Sequence, residues 1–298
     1  MKRALSAEEL YDAVAEIRNL KRGFVTNFYP DVRKHTLWTA RGDMFCERIG
    51  DTWFFVKKNG DFLNLFYNTT DTQTLTADLN RFCRLYPNNS IVIDVVTGKA
   101  QAPSQRELFQ EAGFEEIASL VRMSRATVLE PKADADGIAF ADTADALQVY
   151  ELLCRYFDPQ TEQIPYPEEL EELARENHIL IASGEKGIKG FVVFEKNKTT
   201  QYLRYWFVLP EYRDQKVGGT LLRRFFYEGN DTRRQIFWVM RSNDNAIVRY
   251  RHYGFDEEPL LDFVFYRRTN ERDRAGIART NVASSDRAED NGTGYEKS

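Results

Sequence analysis

The chain has 298 residues, enough for one large domain or two of ordinary size, and its 42% hydrophobic and 13% aromatic content can supply packed cores. A net charge of −5 excludes a global positive field that would hold nucleic acid or an anionic membrane surface. There is no apolar run of the roughly 18 residues a membrane span needs, and Met1-Lys2-Arg3 leads into Leu5-Ser6-Ala7-Glu8-Glu9, so a soluble cytoplasmic protein without a secretory signal is expected.

Taken in chain order, the first helix begins at Ser6, which can cap it while Glu9 reaches back, and no strand is predicted before it. Strands follow at Met44–Ile49, Thr52–Lys57 and Phe62–Tyr67, joined by turns at Gly50-Asp51 and Lys58-Asn59-Gly60-Asp61. A helix over Leu75–Leu85, a strand over Ser90–Val95, a helix over Gln105–Ala112, Gly113-Phe114 and a strand to Arg125 complete this half. The polar stretch 131–136 reads as a linker between a first domain at 1–130 and a second at 137–268.

The second half repeats the order. A short strand at Ile138–Phe140 precedes a helix from Asp142 to Tyr156, and Pro167 opens another over Glu168–Glu176. Strands are expected at His178–Ala182, Ile188–Phe194 and Gln201–Leu209, then a helix at Val217–Glu228 and a strand at Gln235–Arg241. A helix at Asn243–Tyr253, Gly254-Phe255 and a strand to Arg267 close it. The matching order predicts a tandem repeat of two α+β units, layered α/β/α, each a mixed, mostly antiparallel sheet flanked by helices. Residues 269–298, rich in Asn, Ser, Asp, Gly and Thr, are expected to form a disordered tail. Cys46, Cys83 and Cys154 are odd in number and far apart among apolar residues, which predicts reduced core thiols and no metal site.

The most informative stretch is Val208-Leu209-Pro210-Glu211-Tyr212-Arg213-Asp214-Gln215-Lys216-Val217-Gly218-Gly219-Thr220-Leu221-Leu222. A strand, a polar loop with two cations and a glycine-led helix make an anion site, because first-turn N–H groups lack internal partners and the helix dipole favours negative charge. With Asn243, Ala246, Tyr250, Gly254 and Phe255 downstream, the segment resembles the GNAT superfamily of acyl-CoA N-acyltransferases. Pro210, Arg213, Gly218, Leu221 and Leu222 match that family's first motif, and the five downstream residues match its second. The likeness covers about residues 136–268. Lys216 departs from it by standing where a glycine is usual, at a cost on the order of 1 kcal/mol if the position needs positive φ.

The resemblance implies transfer of an acyl group, most simply acetyl, from acetyl-CoA or another acyl-CoA to a small-molecule or peptide amine, with neither nucleic acid nor membrane as partner. Backbone groups at Phe207, Val208 and Leu209 would meet the pantetheine arm and the thioester carbonyl. Arg213, Asp214, Gln215, Lys216, Val217, Gly218, Gly219 and Thr220, with Asn243, would complete cofactor binding, and Tyr250 would protonate the leaving thiolate. The expected central strand Tyr202–Phe207 carries no carboxylate. Glu195, at the end of the neighbouring strand, is a candidate base but reads rather as a solvated turn residue, and water relayed through tyrosines is the alternative, so the general base is open. The segment Tyr156–Tyr166 is expected near the acceptor. The competing reading is a non-catalytic GNAT-like module that binds a ligand or partner. The first half, with Tyr67–Gln73 in place of the glycine loop and Phe109 in place of Tyr250, reads as a degenerate copy.

Overall fold

A computed structural model describes residues 1–131, 137–185 and 187–268. The predicted linker lies almost wholly outside these residues, and the predicted tail lies entirely outside them. Contacts between Cα atoms divide the chain into two units. Unit 1 holds Met1–Ser119 and the described residues from Leu260 onward, and unit 2 holds Leu120–Pro259.

Unit 1 opens with a strand that the sequence reading did not expect, β1 (Lys2–Arg3), paired antiparallel with β3 (Met44–Ile49). Ser6 caps α1 (Ala7–Asn19) by accepting from the Glu9 N–H at 3.3 Å, while the Glu9 carboxylate reaches past it to the Leu5 N–H. Two further elements were also missed: β2 (Val25–Thr26) and α2 (Val32–Arg41), the latter capped by Asp31. Next come β4 (Thr52–Asn59), β5 (Phe62–Thr69), α3 (Thr72–Leu85), β6 (Ser90–Gly98) and α4 (Ala102–Glu111). The sheet runs β1-β3-β4-β5-β6, antiparallel except for the β5–β6 pair.

Unit 2 contains β8 (Ile138–Phe140), α5 (Thr143–Tyr156), α6 (Pro167–Arg175), β9 (Ile179–Gly184), β10 (Gly187–Asn197) and β11 (Thr200–Val208). A 3-10 turn at Pro210–Gln215 leads into α7 (Val217–Glu228), β12 (Arg234–Met240) and α8 (Asp244–His252). Its sheet runs β8-β9-β10-β11-β12, with β11–β12 parallel and the other pairs antiparallel. One face is covered by α5 and α6, whose Val149, Leu153 and Leu170 pack with Ile179, Phe191, Val193, Tyr205 and Phe207. Leu221, Leu222 and Phe225 of α7 are buried, and Phe225 meets Phe194 of β10 edge to face at 5.7 Å.

Two self-contained sheets were expected, and the strand register corrects that. The last strand of the first half, β7 (Glu115–Ala126), pairs through Leu120–Ala126 with β12 of unit 2. The last strand of the second half, β13 (Asp256–Arg267), pairs through Leu260–Arg267 with β6 of unit 1. Each unit therefore takes a strand from the other half of the sequence, and both sheets are mixed. Within unit 2 the borrowed strand is locked by Arg125, which donates to Gln235 Oε1 at 2.7 Å and to the Tyr253 carbonyl at 2.8 Å. Gln235 in turn donates to Gln201 Oε1 at 2.7 Å across the parallel pair, so the buried amides satisfy one another. Cys46 and Cys83 are buried free thiols as expected, whereas Cys154 is exposed on α5.

Candidate functional site

The site begins where two parallel strands part. β10 stays paired with β11 as far as Val208, but the β11–β12 ladder consists of Thr200–Tyr202 against Arg234–Ile236 and ends there. From Leu203 on, the β12 side of β11 has no ladder partner among the described residues, leaving backbone donors and acceptors along an apolar wall. A bulge lies at the point of parting: Val193 faces Tyr205 and Phe194 faces Leu203, so Arg204 is the extra residue.

The bulge switches which residues face which helices. Before it, Gln201 points to α7 and donates to the Phe225 carbonyl at 3.0 Å. After it, Tyr205 and Phe207 enter the core beneath α5 and α6, while Trp206 and Val208 lie under the start of α7. The Phe207 ring is 4.6 Å from Tyr156, so its side chain is core and its backbone is what it offers the cleft. Leu209 is anchored by its N–H to the Lys189 carbonyl at 2.8 Å.

The loop after β11 enters α7 through a left-handed residue. Lys216 has φ 60° and ψ 8°, the left-handed conformation that glycine adopts freely, so this position does need positive φ. No side chain caps α7, and its first turn carries no acid, so its leading N–H groups from Val217 onward are not masked by a capping oxygen. A Cβ on Gly218 would sit 3.1 Å from Trp206 Cζ2 and 3.4 Å from Val208 Cγ2, so glycine there lets the helix start close against β11. Arg213 folds back toward the Val208 carbonyl at 3.4 Å, and Asp214, Gln215 and Lys216 are exposed. Thr220 Oγ1 donates to the Lys216 carbonyl at 3.1 Å, and Arg223, which the sequence reading passed over, reaches Thr220 Oγ1 at 3.3 Å.

The second motif proves to be a helix fitted with both caps. Asn243 Oδ1 accepts from the Ala246 N–H at 3.0 Å, so this oxygen is committed to starting α8. At the other end Gly254 takes φ 80°, and the Phe255 and Gly254 N–H groups return to the Tyr250 and Arg251 carbonyls. Between the caps Tyr250 is half-buried, its ring 4.2 Å from Phe237 of β12 and 6.0 Å from Trp206 of β11. It therefore bridges the two strands where they part. Trp206 Nε1 is buried with no hydrogen-bond partner among the described residues. An unmet indole N–H beside a glycine-led helix suits a ligand that carries polar atoms into an apolar slot.

Unit 1 has the same frame with its slot filled. Its parallel pair also lasts three residues, Phe62–Asn64 against Ser90–Val92. Beyond it β2 pairs with β5, Val25 opposite Thr69 and Thr26 opposite Asn68. The Asn27 side chain accepts from the Tyr67 N–H at 2.6 Å and donates to the Leu65 and Asp94 carbonyls at 3.3 and 2.9 Å, joining β5 to β6. Phe109 lies 6.3 Å from Tyr67, much as Tyr250 lies by Trp206, but without a hydroxyl.

Residues 175–257 match the family model described as an acetyltransferase (GNAT) domain. No curated protein matches the sequence. Among solved structures, a GCN5-related N-acetyltransferase from Sphaerobacter thermophilus superposes with TM-score 0.55 at 14% identity, over 73% of this chain and 76% of that one. A tandem GNAT protein from the clavulanic acid biosynthesis pathway gives 0.55 at 14% identity, over 88% and 96%. A GCN5-related N-acetyltransferase from Kribbella flavida gives 0.51 at 11% identity, over 92% and 98%. At such identities the structures speak for the fold alone. The matched stretch, which holds the cleft, the loop and Tyr250, is similar to a GNAT acetyltransferase domain.

Proposed function

We propose that unit 2 transfers an acyl group, most simply acetyl, from acyl-CoA to an amine. The observation that carries this reading is the parting of β11 and β12 after three pairs, with Tyr250 set across the gap and an uncapped, glycine-led helix at its end. The backbone of Trp206–Leu209 runs alongside the pantetheine arm, and an N–H of this edge donates to the thioester oxygen as charge develops on it. The N–H groups of Val217, Gly218 and Gly219 receive the pyrophosphate, with Arg213, Lys216 and Arg223 adding charge. Acyl-CoA supplies an activated thioester carbonyl. The amine forms the new C–N bond as the C–S bond breaks, and the Tyr250 hydroxyl gives its proton to the departing thiolate. A substrate ammonium must also lose a proton, at about 4 to 5 kcal/mol near neutral pH for an ordinary alkylamine.

Unit 1 takes no part in cofactor capture on this reading, because Val25–Asn27 already use the backbone groups of β5 that the arm would need. A second reading, a non-catalytic ligand-binding module, is favoured by Lys216 in a glycine position and by the lack of a carboxylate on β11. An acyl-transfer assay with acetyl-CoA and a broad amine panel separates the two. Acetyl-CoA binding with no acylated product from any amine would leave the binding module.

A further inference from the structure

Arg204 is a charge placed where a strand would ordinarily carry none. It is the bulged residue of β11, at the mouth of the cleft, and its side chain is only 18% exposed. Nη1 donates to Glu195 Oε1 at 3.1 Å, and the guanidinium carbon lies 5.3 Å from the centre of the Tyr202 ring. Glu195 is not in a turn but within β10, directly opposite Tyr202, with its side chain 32% exposed. The Tyr205 hydroxyl accepts from the Arg204 side chain and donates to the Gln163 carbonyl at 2.7 Å, which ties the segment Tyr156–Tyr166 to the same patch.

Two features say what this patch is for. First, Glu195 and Tyr202 are paired across the ladder and so share a face, the one opposite Gln201, Leu203 and α7. Arg204 joins them through its ion pair, so it lies on the α5–α6 face, away from the loop that would hold the phosphates. Its charge is therefore not accounted for by the cofactor. Second, a guanidinium carries five N–H donors in a planar fork, and Glu195 and the Tyr205 hydroxyl are the side chains it meets here. A partly exposed fork that meets one carboxylate and one hydroxyl keeps donors for a second carboxylate.

We propose that Arg204 is a specificity-determining residue that binds a carboxylate borne by the acceptor, so that the acceptor is an α-amino acid or a close relative. This rests on the acyl-transfer reading of unit 2. Arg204 and Phe207 are three residues apart, roughly 10 Å along a strand, a distance that an arginine side chain and a small amino acid span together. Arg204 takes the carboxylate and Glu195, beside it, faces the ammonium. The pair presents the mirror of a zwitterion.

The test uses the full chain, acetyl-CoA, the standard α-amino acids, their amides and the matching decarboxylated amines. Free acids are expected to exceed their amides in kcat/KM, and Arg204→Gln is expected to lower that ratio by roughly 10- to 100-fold, the range of one charge-assisted bond. Arg204→Lys, which keeps the charge without the fork, should retain an intermediate preference. That graded loss of selectivity is not what a purely structural ion pair would produce. A succinyl-CoA arm asks whether the carboxylate instead belongs to the acyl group. Equal turnover of acids and amides, a selectivity ratio unchanged in Arg204→Gln, or a preference for succinyl-CoA that Arg204→Gln abolishes would each overturn the proposal while leaving acyl transfer standing. Failure of the wild-type chain to bind acetyl-CoA in a calorimetric titration would remove the acyl-transfer reading, and this proposal with it.

Discussion

At the residue scale, Lys216 holds a left-handed conformation that costs a side-chain-bearing residue about 1 kcal/mol. Lys216→Gly is accordingly expected to raise stability by up to about 1 kcal/mol in urea titrations. Acetyl-CoA affinity should fall, with a shallower salt dependence, because an ammonium beside the phosphates is removed. An affinity that stays level or rises would mean that Lys216 contributes strain and no contact. Tyr250→Phe keeps the ring between Phe237 and Trp206 but removes the hydroxyl that the acyl-transfer reading uses as proton donor. It should lower kcat by roughly 10- to 1,000-fold with little change in acetyl-CoA affinity. Undiminished turnover, where chemistry limits the rate, would reduce Tyr250 to a packing residue.

A third residue sets a pH response. His35 of α2 is stacked on Phe28 at 4.4 Å and buried, and burial pushes its pKa down to about 4. Because the folded value lies below the unfolded one near 6.5, its contribution is fully present above about pH 6.5 and is lost as pH falls toward 4. The loss is on the order of 3 kcal/mol. Denaturation at pH 7 and pH 4.5 should show a steeper acid loss in the wild type than in His35→Asn. Parallel losses would place the acid sensitivity elsewhere.

At the scale of the element, β2 and its neighbour Asn27 close the slot of unit 1. Gly23 lets the chain approach there, since a Cβ at that residue would overlap the Thr70 carbonyl oxygen. Asn27→Ala strips a donor from two carbonyls and an acceptor from one N–H in a buried seam, and should destabilise the chain by about 2 to 4 kcal/mol. A loss below about 1 kcal/mol would show that water replaces the side chain and that the slot is not sealed. The contrast with unit 2 is one of occupancy by the chain itself. Both parallel pairs stop after three residues, but the edge exposed by one of them is already bonded.

At the scale of the whole molecule, the exchange of β7 and β13 means that neither half of the sequence holds all the strands of its own sheet. A fragment of residues 1–130 lacks Leu260–Arg267, the antiparallel neighbour of β6, and should show no cooperative unfolding transition. A fragment that folds cooperatively by itself would show that the borrowed strand is dispensable. For the intact chain, titration with acetyl-CoA should give one site, since among the described residues unit 2 alone offers an open edge and an uncapped glycine-led helix. Two sites per chain would overturn the division of labour proposed between the units.

Much of this was legible in the sequence because the signals are local. The helix at Val217–Glu228 and the strand at Met44–Ile49 fall where apolar spacing and turn residues put them. The Asn243 and Gly254 positions declare a helix start and stop through their own side-chain and backbone chemistry. Short elements such as β1 and β2 carry too few residues for a periodic signal and exist because a distant strand pairs with them. Glu195 illustrates the same limit: nothing in its neighbours places it opposite Tyr202 and against a bulged arginine, because register is a property of two strands at once. Strand exchange is further still from local reach, since a strand's pattern states which side is buried and never which neighbour it will have. Sequence alone determined the repeated order of elements and the polar loop leading into a glycine-led helix, written in spacing and capping chemistry, while Tyr250 was singled out by the resemblance of its motif. Only the tertiary structure decided which strand closes each sheet, which cleft the chain fills for itself and where Arg204 points, because these depend on hydrogen bonds between segments far apart along the chain.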